Sequence, residues 1–184
     1  NSKNVPKPKR YSRLLLRVIN FLCPTKLGYG YHYRPYNENI LSPIIRDRIR
    51  EINTSTNNEI LIYLPTYSIN NIIDIIKKIP DQMEWTIFTN ESDSNYKIEG
   101  VNINSISDDL FAKKIGSCYG IICAAGFSIT SEAIFLGKPM LVIPVKDHIE
   151  QQFNAAALEK EGVQVLKEFS LKYIDKIHLD CNVN

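Results

Sequence analysis

The residues best suited to chemistry fall in one stretch, Cys123 to Leu158, which reads CAAGFSITSEAIFLGKPMLVIPVKDHIEQQFNAAAL. Ala124, Ala125 and Gly126 follow an apolar run, and Ser128, Ile129 and Thr130 open the next segment. Small residues let backbone N–H groups approach a ligand, and a helix amino terminus offers an anion those donors together with its dipole. In chemical terms this is a phosphate site. The plain alternative is a tight strand-to-helix turn with Ser128 or Thr130 as an ordinary N-cap. No GK[ST] follows and no GxGxxG is present, so this is neither a Walker loop nor the dinucleotide fingerprint.

Glu132 lies within the first turns of the same segment, near enough to such an anion for its carboxylate to accept both hydroxyls of a ribose. An acid complementing the helix dipole would look the same. Beyond Pro144, the loop VKDHIEQQ gathers Asp147, His148, Glu150, Gln151 and Gln152 ahead of Asn154. Carboxylates and carboxamides at one strand end can bracket the hydroxyls of a sugar; an exposed polar loop with a capping residue is the alternative. A single loop histidine reads more readily as a surface group or hydrogen-bond donor than as a base, and no catalytic role is assigned to His148.

These residues need elements to hold them. From Glu59 onward, short apolar runs rich in β-formers alternate with helical patterns. Strands are expected at 60–64, 85–89, 101–103, 120–124, 140–143 and 163–166. Helices are expected at 69–79, stopped by Pro80, and at 108–114, 128–136 and 150–161. Gly137 should end the helix before it, and Pro139 should open the strand after it. Strands that are apolar along their whole length imply a parallel sheet covered on both faces, a doubly wound Rossmann-like α/β domain. Ligands in such sheets bind beyond the carboxyl ends of the strands, at loops beginning here near Pro65, Ser105, Ala125 and Pro144.

Upstream, residues 1–10 are proline-rich and basic and are expected to form a flexible arm. From Arg10 to Leu22, Leu14, Leu15, Val18, Ile19 and Leu22 recur at helical spacing, with Arg10, Arg13 and Arg17 on another face. Packing of this basic amphipathic helix on its own domain is the preferred reading, and peripheral contact with a membrane surface through 10–22 is the alternative. Residues 24–43 mix Gly, Pro and Tyr without periodicity, as a linker laid across a surface would, and 44–52 looks helical.

Composition narrows the classes. The chain has 184 residues, 44% hydrophobic and 23% charged, which suits one globular domain. A net charge of +2 is too small for a nucleic-acid binder, although the first acid is Glu38 and the preceding 37 residues carry the excess of cations. No apolar run approaches the roughly 18 residues of a membrane helix. The four cysteines, Cys23, Cys118, Cys123 and Cys181, show no CxxC spacing and read as reduced thiols of a cytoplasmic protein. The chain opens on Asn without a leader pattern, and a piece of a longer protein is expected.

Taken in order, the small-small-Gly turn, Ser-Glu, Gly-Lys-Pro and the pattern Pro144, Glu150, Gln151, Asn154, Ala155 resemble the carboxyl-terminal donor-binding half of GT-B fold glycosyltransferases. The likeness is greatest to the family of the bacterial lipid II N-acetylglucosaminyltransferase and its uncharacterised archaeal and bacterial relatives. Asn39 to Arg46 (NILSPIIR) resembles the start of the donor domain in those relatives.

The resemblance implies that Gly126, Phe127, Ser128 and Thr130 bind the diphosphate of a nucleotide sugar and that Glu132 holds the ribose. It implies base contacts near Ile106 and Ser107, most often to uracil, and donor-sugar contacts from Asp147, His148, Glu150, Gln151 and Gln152. Pro65, Thr66, Tyr67 and Ser68 stand where the lipid II enzyme has a glycine-rich turn. The donor is then a UDP-sugar, with no cofactor and no metal, in keeping with the lack of a DxD motif. A base and the acceptor contacts would come from an amino-terminal domain outside this chain or from a partner subunit. Residues 11–43 would be the helix and linker leading from that domain, and 44–184 the donor-binding domain, inactive alone. An epimerase half, or a nucleotide-binding module without catalysis, is the alternative.

Overall fold

The computed structural model describes residues 4–9, 11–22, 28–79 and 83–174. Residues 1–3 and Arg10 of the expected arm, the linker residues 24–27, the helix stop Pro80, and Cys23 and Cys181 lie outside them. The element order is α1 (Arg13–Leu22), β1 (Gly30–Tyr31), β2 (Ile40–Leu41), α2 (Asp47–Arg50), β3 (Glu59–Tyr63), α3 (Ile69–Ile76), β4 (Glu84–Thr89), β5 (Tyr96–Ile98), β6 (Val101–Ser105), α4 (Asp108–Ser117), β7 (Gly120–Cys123), α5 (Phe127–Phe135), β8 (Met140–Val142), α6 (Ile149–Lys160), β9 (Gln164–Val165) and α7 (Leu171–Ile174).

Seven strands form one sheet in the order β5-β6-β4-β3-β7-β8-β9. Every pair is parallel except β5 with β6. Without β5, the parallel strands run third, second, first, fourth, fifth, sixth in chain order, the Rossmann arrangement, with its switch point between β3 and β7. The Ile60↔Gly120 to Tyr63↔Cys123 register fixes that junction. It brings the loops after Tyr63 and Cys123 side by side.

Side chains leave the strands alternately, and the two cores follow that alternation. Leu61, Ile121, Cys123 and Val142 face Ile49, Phe111, Ile115, Ala133 and Leu158 of α2, α4, α5 and α6. Ile60, Ile62, Ile122 and Leu141 face Ile72, Ile73 and Ile76 of α3, with Leu166 and Phe169 closing that side. Both faces are therefore dry, which is why the inner strands read as continuous apolar runs. At the amino end of the sheet Glu59, 1% exposed, accepts bonds from Thr86 Oγ1 and Lys114 Nζ, each at 2.5 Å. Lys138 of the Gly-Lys-Pro segment donates to the carbonyls of Ser55 and Cys118 at 2.5 and 2.8 Å, and Gly137 takes a φ of 64° after α5, so this segment is structural as expected.

Four departures from the expected elements have local causes. The β5–β6 hairpin was not anticipated; its two-residue turn has Glu99 at φ 53° and Gly100 at φ 87°, the left-handed pair of a type I′ turn. The expected helix over 44–52 shrinks to Asp47–Arg50, because Arg46 is extended at ψ 141°. The linker holds a small parallel pair, Gly30↔Ile40 and Tyr31↔Leu41. The last strand is only two residues long.

Of the apolar residues expected to pack the basic helix on its domain, Leu14, Val18 and Leu22 are exposed, as is Phe21, and the side chains of Leu15 and Ile19 lie outside the described residues. In the arm before it, Pro6 is buried and the Tyr11 ring lies edge-on to Phe153 of α6 at 5.2 Å.

Candidate functional site

The amino end of α5 stands at the switch point. Gly126 is its N-cap, extended at φ −70° and ψ 132°, and no side chain caps it. The first N–H with a carbonyl partner in this turn is that of Thr130, which donates to Gly126 O at 3.2 Å. The amides of Phe127, Ser128 and Ile129 precede it, and a helix gives its first N–H groups no internal acceptor. Three parallel donors and the positive end of the dipole thus point beyond the sheet. Ser128 is exposed at this tip and Gly126 is half-buried.

Thr130 does not join them. Its side chain is fully buried, and its hydroxyl donates back to Gly126 O at 2.8 Å while meeting the Tyr33 hydroxyl at 2.7 Å. The β-branched hydroxyl bonds the preceding turn, as threonines inside helices do. Tyr33 comes from the linker, its ring tilted over Phe127 at 5.1 Å. Burial pushes its phenol well above the usual range, so the hydroxyl stays protonated.

Glu132 is 2% exposed, and both carboxylate oxygens are held by Arg46: Nε to Oε1 at 2.7 Å and Nη2 to Oε2 at 2.9 Å. The third arm of the guanidinium donates to Asp108 Oδ1 at 3.0 Å. The Glu132 bond, above all, raises the Arg46 pKa further. Arg46, Asp108 and Glu132 line a cavity of about 160 Å³ with Tyr63, Ile106, Phe111 and Ile129. Apolar Ile106, Phe111 and Ile129 thus share this lining with the Arg46–Glu132 ion pair. Ile106 and Glu132, expected to touch base and ribose, meet in this one cavity. Ser107 precedes α4 as its N-cap, its carbonyl accepting from the Phe111 N–H at 2.8 Å, and its side chain is exposed.

The loop after β8 folds back onto α6. Gln151 Oε1 accepts from the Val145 N–H at 2.9 Å, and Gln152 Nε2 donates to the Val145 carbonyl at 3.2 Å. Asp147 is left-handed at φ 61° and exposed, as is Glu150. His148 caps α6, its Nδ1 accepting from the Gln151 N–H at 3.4 Å. That uses Nδ1 in the cap and leaves the other ring nitrogen outside this bond. Asn154 Nδ2, buried, donates to the Ala125 carbonyl at 3.0 Å, which fixes α6 against the strand end carrying Gly126.

In the first loop, Ser68 caps α3 by accepting from the Asn71 N–H at 3.3 Å, and the Tyr67 hydroxyl accepts from Phe169 N at 3.0 Å. Pro65 and Thr66 are exposed. Among the described residues no group of three or more His, Cys, Asp and Glu lies close enough to hold a metal ion. Cys118 and Cys123 are free and buried, and burial lifts their thiols to about 11 and about 12.

Residue types and spacing did not reveal Arg46 or Tyr33 as parts of this site. Arg46 is 86 positions from Glu132 and Tyr33 is 97 from Thr130, beyond the reach of any periodicity. The only local trace was the NILSPIIR segment, whose last residue is Arg46.

Among solved structures, the chain is similar to the glycosyltransferase SnogD from Streptomyces nogalater, at 18% identity and a TM-score of 0.45 over 75% of this chain and 37% of that one. It is also similar to the spinosyn forosaminyltransferase SpnP, at 14% identity and a TM-score of 0.49 over 79% of this chain and 43% of that one. A 67-residue stretch is 33% identical to the UDP-N-acetylglucosamine--N-acetylmuramyl-(pentapeptide) pyrophosphoryl-undecaprenol N-acetylglucosamine transferase of Alkaliphilus metalliredigens (strain QYMF), covering 35% of this chain and 18% of that protein. The chain thus spans less than half of each of these proteins. Residues 11–180 match the family described as glycosyl transferase family 1, and the chain belongs to that family.

Proposed function

We propose that this chain is the donor-binding half of a metal-independent GT-B glycosyltransferase, taking a UDP-sugar and passing its hexose to a glycan or lipid-linked acceptor. The observation that carries the reading is the uncapped amino end of α5 at the sheet's switch point, beside the cavity containing Ile106 and Glu132. In the proposed complex the base enters that cavity and the diphosphate meets the N–H groups of Phe127, Ser128 and Ile129. The hexose then extends toward Asp147, Glu150, Gln151 and Gln152. His148 would contribute its outer ring nitrogen to that contact.

The chemistry asked of such a half is leaving-group stabilisation. As the bond from the sugar's anomeric carbon to the phosphate oxygen breaks, negative charge grows on UDP, and fixed N–H donors with a helix dipole lower its energy without reorganising. The acceptor hydroxyl and the base that takes its proton belong to the other half or subunit.

Calorimetric titration of two variants with UDP and with UDP-sugars tests the assignment. Glu132→Ala should weaken UDP about tenfold or more, the scale of a lost charge-assisted contact. Gln151→Ala should leave UDP affinity unchanged and weaken only the UDP-sugar. Equal losses for both ligands would contradict the sugar role, and unchanged UDP affinity in Glu132→Ala would remove the ribose role.

A further inference from the structure

The α1 helix presents an apolar stripe to solvent. Leu14 is 71% exposed, Val18 44%, Phe21 83% and Leu22 69%. At the helical repeat these four fall within an arc of about 100°, with Arg17 and then Arg13 along one edge. A row of large apolar side chains bordered by cations has no internal purpose in a water-soluble domain. Its ten residues are too few to span a bilayer, and no helix among the described residues is long and apolar enough to cross a membrane.

We propose that α1 and the preceding arm dock flat on an anionic lipid surface, with Leu14, Val18, Phe21 and Leu22 inserted at the headgroup boundary and the arginines at phosphate level. Charge decides for lipid over a protein partner. Residues 1–37 contain Lys3, Lys7, Lys9, Arg10, Arg13, Arg17, Lys26 and Arg34 and no carboxylate. Arg34 alone of these has a carboxylate partner among the described contacts, Glu161 at 2.5 Å. Cations of one sign spread along a short segment match a continuous anionic sheet, which needs no residue-by-residue pairing.

Position gives the docking a purpose. Tyr11, two residues before α1, packs on Phe153, which directly follows Gln152. Pro8 and Lys9 line a pocket with Pro144, Lys146 and Gln152. Docking α1 therefore holds the proposed sugar loop close to the lipid surface, where a lipid-linked acceptor would present its hydroxyl. This consequence rests on the donor-half reading, whereas the docking itself rests only on α1 and the arm.

Co-sedimentation of the full chain with phosphatidylcholine vesicles, with and without phosphatidylglycerol, tests it. Binding is expected only to the anionic vesicles, falling about tenfold or more when salt is raised to roughly 0.5 M. Leu14→Asp with Phe21→Asp should abolish binding, and Arg13→Glu with Arg17→Glu should weaken it about tenfold or more. Both variants should keep the wild-type thermal melt, because the altered side chains are exposed, and should titrate with UDP like the wild type. No binding to anionic vesicles at low salt, equal binding to neutral ones, or unaltered binding by either variant would overturn the proposal. So would a dimer that Phe21→Asp dissociates, since the stripe would then face a second copy.

Discussion

The bidentate pair between Arg46 and Glu132 sets what the cavity beside α5 can do. Each carboxylate oxygen has two lone pairs and the guanidinium fork uses one on each, so a ribose diol must take the remaining pair or turn Arg46 toward Asp108. The fork also keeps a buried anion compensated. Arg46→Ala should cost about 2 to 3 kcal/mol in urea unfolding, below the 3 to 5 kcal/mol of a fully buried pair because the arginine side chain is 38% exposed. Arg46→Ala with Glu132→Ala should recover part of that loss, since no unpaired charge is left buried. A double variant whose loss equals the sum of the Arg46→Ala and Glu132→Ala losses would show that the pair is not coupled. The role of Glu132 as a polar group near the helix start was legible from its neighbours in sequence. Its partner was not, because an ion pair across 86 positions leaves no local signature.

At the scale of elements, the alternation of apolar runs and helical patterns in 59–166 carried the architecture, because a strand buried on both faces has no polar side to interrupt it. What escaped was weakly patterned. Tyr96–Ile98 is an exposed edge strand, and its hairpin was signalled only by Glu99-Gly100, a pair short of the usual Asn-Gly. The linker was recognisable by composition, but not its grip on α5 and α6 through Tyr33, Phe127, Arg34 and Glu161. His32 sits within that grip, half-buried, its ring 4.8 Å from Tyr36 and 5.3 Å from Tyr33. Burial holds its pKa below 6.5, so the unfolded chain binds the proton more readily than the folded one. The stabilising contribution of the neutral ring is complete above that value and is lost as the pH falls below it. Urea midpoints should therefore decline more steeply between about pH 7 and 5 for the wild type than for His32→Asn. Parallel declines would show that His32 does not titrate against the fold.

For the whole molecule, the proposed donor site lies at the carboxyl ends of the strands, and the opposite end holds the Glu59, Thr86 and Lys114 cluster. The central claim is that a nucleoside diphosphate binds across the amino end of α5. The most direct measurement is the change in backbone amide resonances of the ¹⁵N-labelled chain as UDP is added. The account expects saturable shifts centred on Phe127, Ser128 and Ile129, with Ile106 and Glu132 moving at the same UDP concentrations and the amides of Ser68 and Ile69 at α3 staying still. Shifts centred on α3, or a spectrum unchanged by UDP at millimolar concentration, would contradict it.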